Sequence, residues 1–362
     1  MTGALKVGGP DTPTLTLEAG VVVRFERGAS LTIGAGAGHP GELRVEGTGD
    51  APVLLTAHSD APQPGHWEGL SLSAGSTHAS RLSHVTIEYA DGSAFRNVCD
   101  TGGLTLGDVF TPVLHPLAVL DHVTVQKTRL CGVVLHGAPG PGSTRLVSRD
   151  NGQTPLSVDL SLVESIPPDS LLQGNARDAV EVQKTTLERA QSWRRLDVPY
   201  LLAEQVLTVQ GPGTVLTLAP GVDIQVKPQA IVFVTQGASL HAEGSATEPI
   251  RFMPDMATPH KGHWGGLWLL DSPGSRLDHV VLTHGGRATG SNLLVVPGED
   301  RREGPLVTHS TFEGSAGCGI RTSRSAPELA APLDYTLTGY GNTFSDNDGG
   351  AQCNHTVRKQ EP

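Results

Sequence analysis

Histidine forms the most regular polar feature of this chain. His84 (LSHVTI), His122 (LDHVTV), His279 (LDHVVL) and His309 (VTHSTF) each stand at the head of a strand-like run. Neutral imidazole is a common metal ligand. If His84 neighbours His122 and His279 neighbours His309, each pair offers two ligands, whereas a site needs three or four. A ladder of like residues at a turn uses the same pattern without a metal. Asp346, Asn347 and Asp348 (FSDNDGG) offer the oxygen ligands that calcium takes, and an alignment that sets Asp150 against Asn347 brings Asp150-Asn151-Gly152 to the same place. Neither stretch fits the EF-hand or the nine-residue calcium repeat, and Asx residues also serve bends that need a left-handed backbone. No resident cofactor is expected, with calcium the one exception held open and the four histidines the other metal candidates. Trp67 and Trp264, in Gly65-His66-Trp67 and Gly262-His263-Trp264, could stack on a sugar ring. Both closely precede apolar strands, so burial with the indole N–H bonded to backbone is the competing expectation.

Catalytic constellations are hard to find. Asp255, Asp271 and Asp278 are scattered, and the chain has no G-x-S-x-G, no H-E-x-x-H and no phosphate loop. A glycosidase would need two carboxylates facing each other across a groove. The net charge of −11 argues against nucleic acid, since the basic clusters Arg194-Arg195 and Arg301-Arg302 are only two residues long. No apolar run is long enough to insert in a membrane. Four cysteines, Cys99, Cys131, Cys318 and Cys353, show no C-x-x-C spacing, which disfavours zinc ribbons. An even count permits two disulfides, and similar separations within each half favour Cys99 with Cys131 and Cys318 with Cys353. Four buried free thiols remain the alternative.

These residues must be held by short elements, because 45 Gly and 26 Pro in 362 residues interrupt any long helix. The chain is also read twice. LTLEAGV (15–21) returns as LTLAPGV (216–222), GHWEGL (65–70) as GHWGGL (262–267), SRLSHV (80–85) as SRLDHV (275–280), and Cys131-Gly132-Val133 as Cys318-Gly319-Ile320. Within each half, runs such as VVVRF, GLSLS, HVTIEYA and GVVLHG alternate apolar and polar residues between Gly, Pro, Asn and Asp. That is the pattern of strands and turns. Two-residue hairpin signals are sparse and helices are missing between the runs, so the strands pair in parallel only if the chain coils. The expected fold is all-β: one right-handed parallel β-helix of two homologous halves, 1–175 and 176–362. The one segment with competing helix formers is Lys184–Arg195.

LTLEAGVVVRFERGASLTIG, GHWEGLSL and LSHVTIEYADG, with their second-half counterparts, resemble the right-handed parallel β-helix repeat modules of bacterial secreted and surface proteins. Trp193–Tyr200 resembles the strand that opens such a module. The first half lacks an opener, since Met1 aligns with Leu202, so an opener and an export signal are expected either to lie upstream or to have been removed. The resemblance implies secretion or cell-surface display. The expected function is a non-enzymatic scaffold that binds protein or glycan through one face and the variable loops Gly34–Gly41, Gly137–Ser143 and Val296–Gly304. A polysaccharide lyase or hydrolase with a groove along the helix, and a self-assembling structural module, are the alternatives.

Overall fold

The structure, a computed structural model, describes residues 1–36, 38–95, 98–109, 115–298, 304–324 and 333–356. Two compact units divide the chain, Met1–Glu181 and Val182–Pro362.

In the first unit the strands Ala4–Val7, Ser30–Ile33, Gly69–Leu72, Leu104–Leu106, Val133–Leu135 and Leu156–Asp159 lie side by side in that order. Each is separated in sequence from its neighbour by a full coil. The register sets Leu31, Leu70, Leu104, Val133 and Leu156 in one column, and all five are buried. A strand presents alternate residues to one face, so the next inward column is Ile33, Leu72, Leu106, Leu135 and Val158. Burial of each such side chain contributes about 1.5–3 kcal/mol. On another side of the coil run Thr14–Glu18, Glu42–Glu46, Arg81–Glu88, Val119–Gln126 and Thr144–Arg149, with Val22–Phe25 and Val53–Ala57 beside the later half of Arg81–Glu88.

The second unit repeats the plan with three sheets. One contains Val206–Gln210, Ile231–Thr235, Gly266–Leu270, Ser291–Val296 and Cys318–Arg324. A second contains Val215–Leu218, Ser239–Glu243, Arg276–Asp278 and Leu306–Thr308, and a third contains Asp223–Val226, Ile250–Pro254, Val280–Thr283, Thr311–Glu313 and Thr343–Ser345. Val232, Leu267, Leu293 and Ile320 form an inward column. Among the described residues the helical turns are the 3₁₀ segments Leu160–Ser165 and Thr338–Tyr340, and the one antiparallel pair is Ser93–Phe95 with Val98–Thr101.

The segment with competing helix formers, Lys184–Arg195, forms the strands Thr186–Leu187 and Gln191–Trp193, since Leu187 and Trp193 have places in the core. Within Gly137–Ser143, Pro141 and Gly142 are exposed while the rest packs against neighbouring coils. Pro139 bridges to Ala118 and Gly140 is packed under Val119. Of the other two loops, residue 37 and residues 299–303 lie outside the described residues.

The corners are held by buried polar side chains that take up the backbone N–H groups a bend leaves over. Ser80 Oγ accepts from Leu43 N–H at 3.1 Å and Ser275 Oγ from Leu240 N–H at 3.0 Å. At another corner a glycine is required in both units: Gly69 has φ 101° and Gly266 φ 103°. A Cβ there would lie 2.8 Å from Gly102 O in the first unit and 2.6 Å from Ser291 O in the second.

Candidate functional site

The four histidines occupy bends, and the backbone explains their type. His84, His122, His279 and His309 have φ of 44°, 55°, 51° and 46°, a left-handed region in which His, Asn and Asp are enriched among non-glycine residues. Each bend turns the chain between two strand segments, so the ring leaves the coil and lies outside it. Coils stack at ~4.8 Å, and the rings follow: His84 and His122 are stacked with centroids 4.5 Å apart, His279 and His309 with centroids 5.0 Å apart. The register continues the first column to Arg145, also left-handed at φ 44°. In the second unit the corresponding bend is Gly341, φ 67°.

A shallow groove of ≈ 410 Å³ follows the first unit's column, lined by His84, Thr86, His122, Thr124, Arg145 and Arg149. Thr86, Thr124 and Val147 are successive rungs of the outer sheet face, and Val147 bridges to Leu171, which is 47% exposed. The charge along it is unbalanced. Glu88, on the next outward column, is engaged by Thr56 Oγ1 at 2.9 Å, Gln126 Nε2 at 2.9 Å and Lys127 Nζ at 3.7 Å. The Lys127 ammonium is held above its ordinary pKa by its hydrogen bond to Tyr89 and by Glu88. Arg149 lies 3.9 Å from Asp150, an exposed pair worth little. Arg145 has no side-chain partner among the described residues.

The second unit arranges its pair differently. Asp278 Oδ2 lies 3.0 Å from His279 Nδ1, and Asp278 Oδ1 lies 2.8 Å from His309 Nδ1 and 2.7 Å from Thr308 Oγ1. Burial alone would raise the Asp278 carboxyl, but the hydrogen bonds from His309, Thr308 and His279 hold it below the usual range. In the first unit the carboxylate sits one coil later, on Asp121, and is shared among His122 Nδ1 at 2.8 Å, Thr144 Oγ1 at 3.1 Å and Arg81 at 2.6 Å. Arg276, the counterpart of Arg81, turns instead towards Glu243 at 4.0 Å.

Residues 194–275 match the model of a family described as "Pectate-lyase like beta helix domain". Together with the parallel sheets of stacked coils, the match decides the fold. This chain folds as a parallel β-helix. No curated protein and no solved structure matches it.

Other residues singled out in the sequence also have places in the β-helix. The two carboxylates of the acidic turn share one lysine. Asp346 Oδ1 and Asp348 Oδ1 each accept from Lys261 Nζ at 2.7 Å, and these bonds raise the lysine's pKa. Asn347 turns inward, its Oδ1 accepting from Ser315 N–H at 2.9 Å and its Nδ2 donating to Phe312 O. Asn151 does the same for Thr128 N–H at 3.1 Å. The two turns therefore correspond as Asp150 with Asp346, φ 57° and 52°, and Asn151 with Asn347, one residue out of step with the alignment made on sequence.

Trp67 and Trp264 take the buried places expected of residues ahead of apolar strands, and form no sugar platform. Both are 0% exposed, with their indole N–H groups donating to Glu88 O at 2.9 Å and Thr283 O at 2.8 Å. Disulfides join Cys99 to Cys131 and Cys318 to Cys353, with Cα atoms 6.2 Å and 5.9 Å apart, which suits an oxidising, extracellular environment. Among the described residues no helix is long and apolar enough to cross a membrane. Arg145 and Arg149 carry no motif, and in the sequence Asp278 stands among scattered carboxylates. Their signal was positional. Arg145 precedes Leu146 as His122 precedes Val123, and Asp278 immediately precedes a ladder histidine.

Proposed function

We propose that the protein is an exported β-helix module that binds an acidic polysaccharide along the groove of its first unit. The observation that carries this reading is Arg145, a guanidinium with no side-chain partner among the described residues, at the head of a groove that also holds Arg149 and two stacked imidazoles. A guanidinium meets a carboxylate through two parallel hydrogen bonds, a match for uronate groups. Thr86 and Thr124 supply hydroxyls for sugar oxygens, and the coil spacing places these groups on successive rungs. With a net charge of −11, the rest of the surface repels a polyanion, so attachment depends on this local cationic strip. The disulfides support export.

The family description favours a second reading, cleavage of the polysaccharide in the same groove. One experiment addresses both. Acidic polysaccharides such as polygalacturonate and alginate are tested for binding at increasing salt, while absorbance reports unsaturated ends produced by elimination. Binding that weakens with salt and falls at least tenfold in Arg145→Ala/Arg149→Ala supports the module. Equal binding by that double variant overturns the groove as the site, and a rise in absorbance replaces the binding reading with the lyase.

A further inference from the structure

We propose that Asp278, His279 and His309 form a binding site for a divalent d-block cation of the zinc type, separate from the glycan groove and independent of that reading. Three side chains from two successive coils bring one carboxylate and two imidazole nitrogens together, their ligand atoms all within 4.8 Å of one another. Asp278 Oδ2 faces His279 Nδ1 at 3.0 Å and Oδ1 faces His309 Nδ1 at 2.8 Å. In the tautomer with the proton on Nδ1, each ring donates to one oxygen of the carboxylate. When each neutral ring carries its proton on Nε2 instead, both Nδ1 lone pairs face the carboxylate, and a single cation held among the three groups replaces the two N–H bonds. The exchange alters tautomers and leaves the net protonation of the rings unchanged.

The donor set selects the metal. Two imidazoles with one carboxylate suit zinc, nickel, copper or cobalt, whereas calcium and magnesium call for more oxygens. Three protein ligands leave a position open to water, and Thr308 Oγ1, 2.7 Å from Asp278 Oδ1, is placed to orient the carboxylate.

The rings are positioned before any ion arrives. His309 lies between the stacked ring of His279, 5.0 Å away, and the backbone of Gly341, where an added Cβ would come within 2.7 Å of His309 Cδ2. The absence of a side chain at that bend is what lets the ring lie there. Duplication supplies the control. In the first unit Arg81 occupies Asp121 and Ser83 stands where Asp278 does, so His84 and His122 have no common carboxylate freed from a guanidinium. Cys99, Cys131 and Glu181 also cluster, but that pair of sulfurs is consumed by a disulfide.

The test uses the oxidised full chain, stripped with EDTA and titrated with zinc by calorimetry, and with cobalt by its visible absorption. The expected result is one zinc per chain, weakened at least tenfold in Asp278→Asn and in His309→Asn, and unchanged in His122→Asn. Asparagine tolerates the left-handed bend, and thermal melting verifies that each variant is folded. A failure of the wild type to bind zinc overturns the proposal. So does binding that survives both second-unit variants, binding that is lost in His122→Asn, or equal affinity for calcium.

Discussion

The indole of Trp67 lies flat against the ring of Phe25, their centroids 3.9 Å apart and their planes 5° from parallel. Both side chains are fully buried, and the indole N–H spans to Glu88 O on the following coil. Trp67 therefore ties three coils together. Replacing it with Ala removes the stacked surface, opens a cavity and strands a carbonyl. Losses of about 3–5 kcal/mol accompany such truncations. Urea unfolding of Trp67→Ala is expected to show a drop of this size, while glycan affinity measured on the folded fraction stays the same. A variant as stable as the wild type would contradict the packing described.

The Cys318–Cys353 bridge closes a loop with a sequence separation of 35. Chain entropy alone assigns about 3–4 kcal/mol to a cross-link of that span. Cys318→Ala/Cys353→Ala is expected to lower stability by up to this amount, and reductant should then have a smaller further effect on the double variant than on the wild type. Mass spectrometry after alkylation checks the pairing directly, because unfolding without reduction must expose no thiol to the reagent.

Much of the architecture can be read from residue order. Apolar alternation between glycines identifies strands, and the shared position of His84, His122, His279 and His309 ahead of a strand identifies a column. A column's chemistry is less legible, because it depends on neighbours a coil away. Asp121-His122 and Asp278-His279 are the same dipeptide. Arg81 nevertheless reaches Asp121 in one unit, while in the other Arg276 turns away and His309 takes its place on Asp278. Arg145 is found only by counting register through a connection of unequal length. Trp67 is a legible case: its place just ahead of an apolar strand implies burial with the indole N–H on backbone, and it is buried with that N–H on Glu88 O.

Asn151 tests the interior polar column. Its Oδ1 accepts from Thr128 N–H at 3.1 Å and Oγ1 at 2.8 Å, and its Nδ2 donates to Ser148 Oγ at 3.0 Å and Asn175 Oδ1 at 2.8 Å. Deleting one partner leaves buried groups unsatisfied, at about 1–3 kcal/mol each. Asn151→Ala is expected to be more destabilising than Asp150→Ala at the exposed neighbour, even though Asp150 holds the left-handed bend. Parallel denaturant titrations decide it, and equal losses would mean that the bend rather than the amide column limits stability there.

Acid sensitivity follows from Asp121. Its carboxyl is held below the ordinary range first by the hydrogen bond from His122, with Thr144 and Arg81 adding to it against the opposing effect of burial. A carboxylate depressed in the folded state binds fewer protons folded than unfolded, so it stabilises above its unfolded pKa of about 3.9. That contribution disappears as pH falls from there through the lower folded value. The charged and titrating groups facing it are Arg81 and His122, and Arg81 keeps its charge throughout. Asp121→Asn should thus be less stable than the wild type at neutral pH, and the gap should close below about pH 4. Denaturant midpoints taken across that range supply the measurement. A gap that stays constant with pH would assign the loss to altered packing and remove the ionised carboxylate from the account.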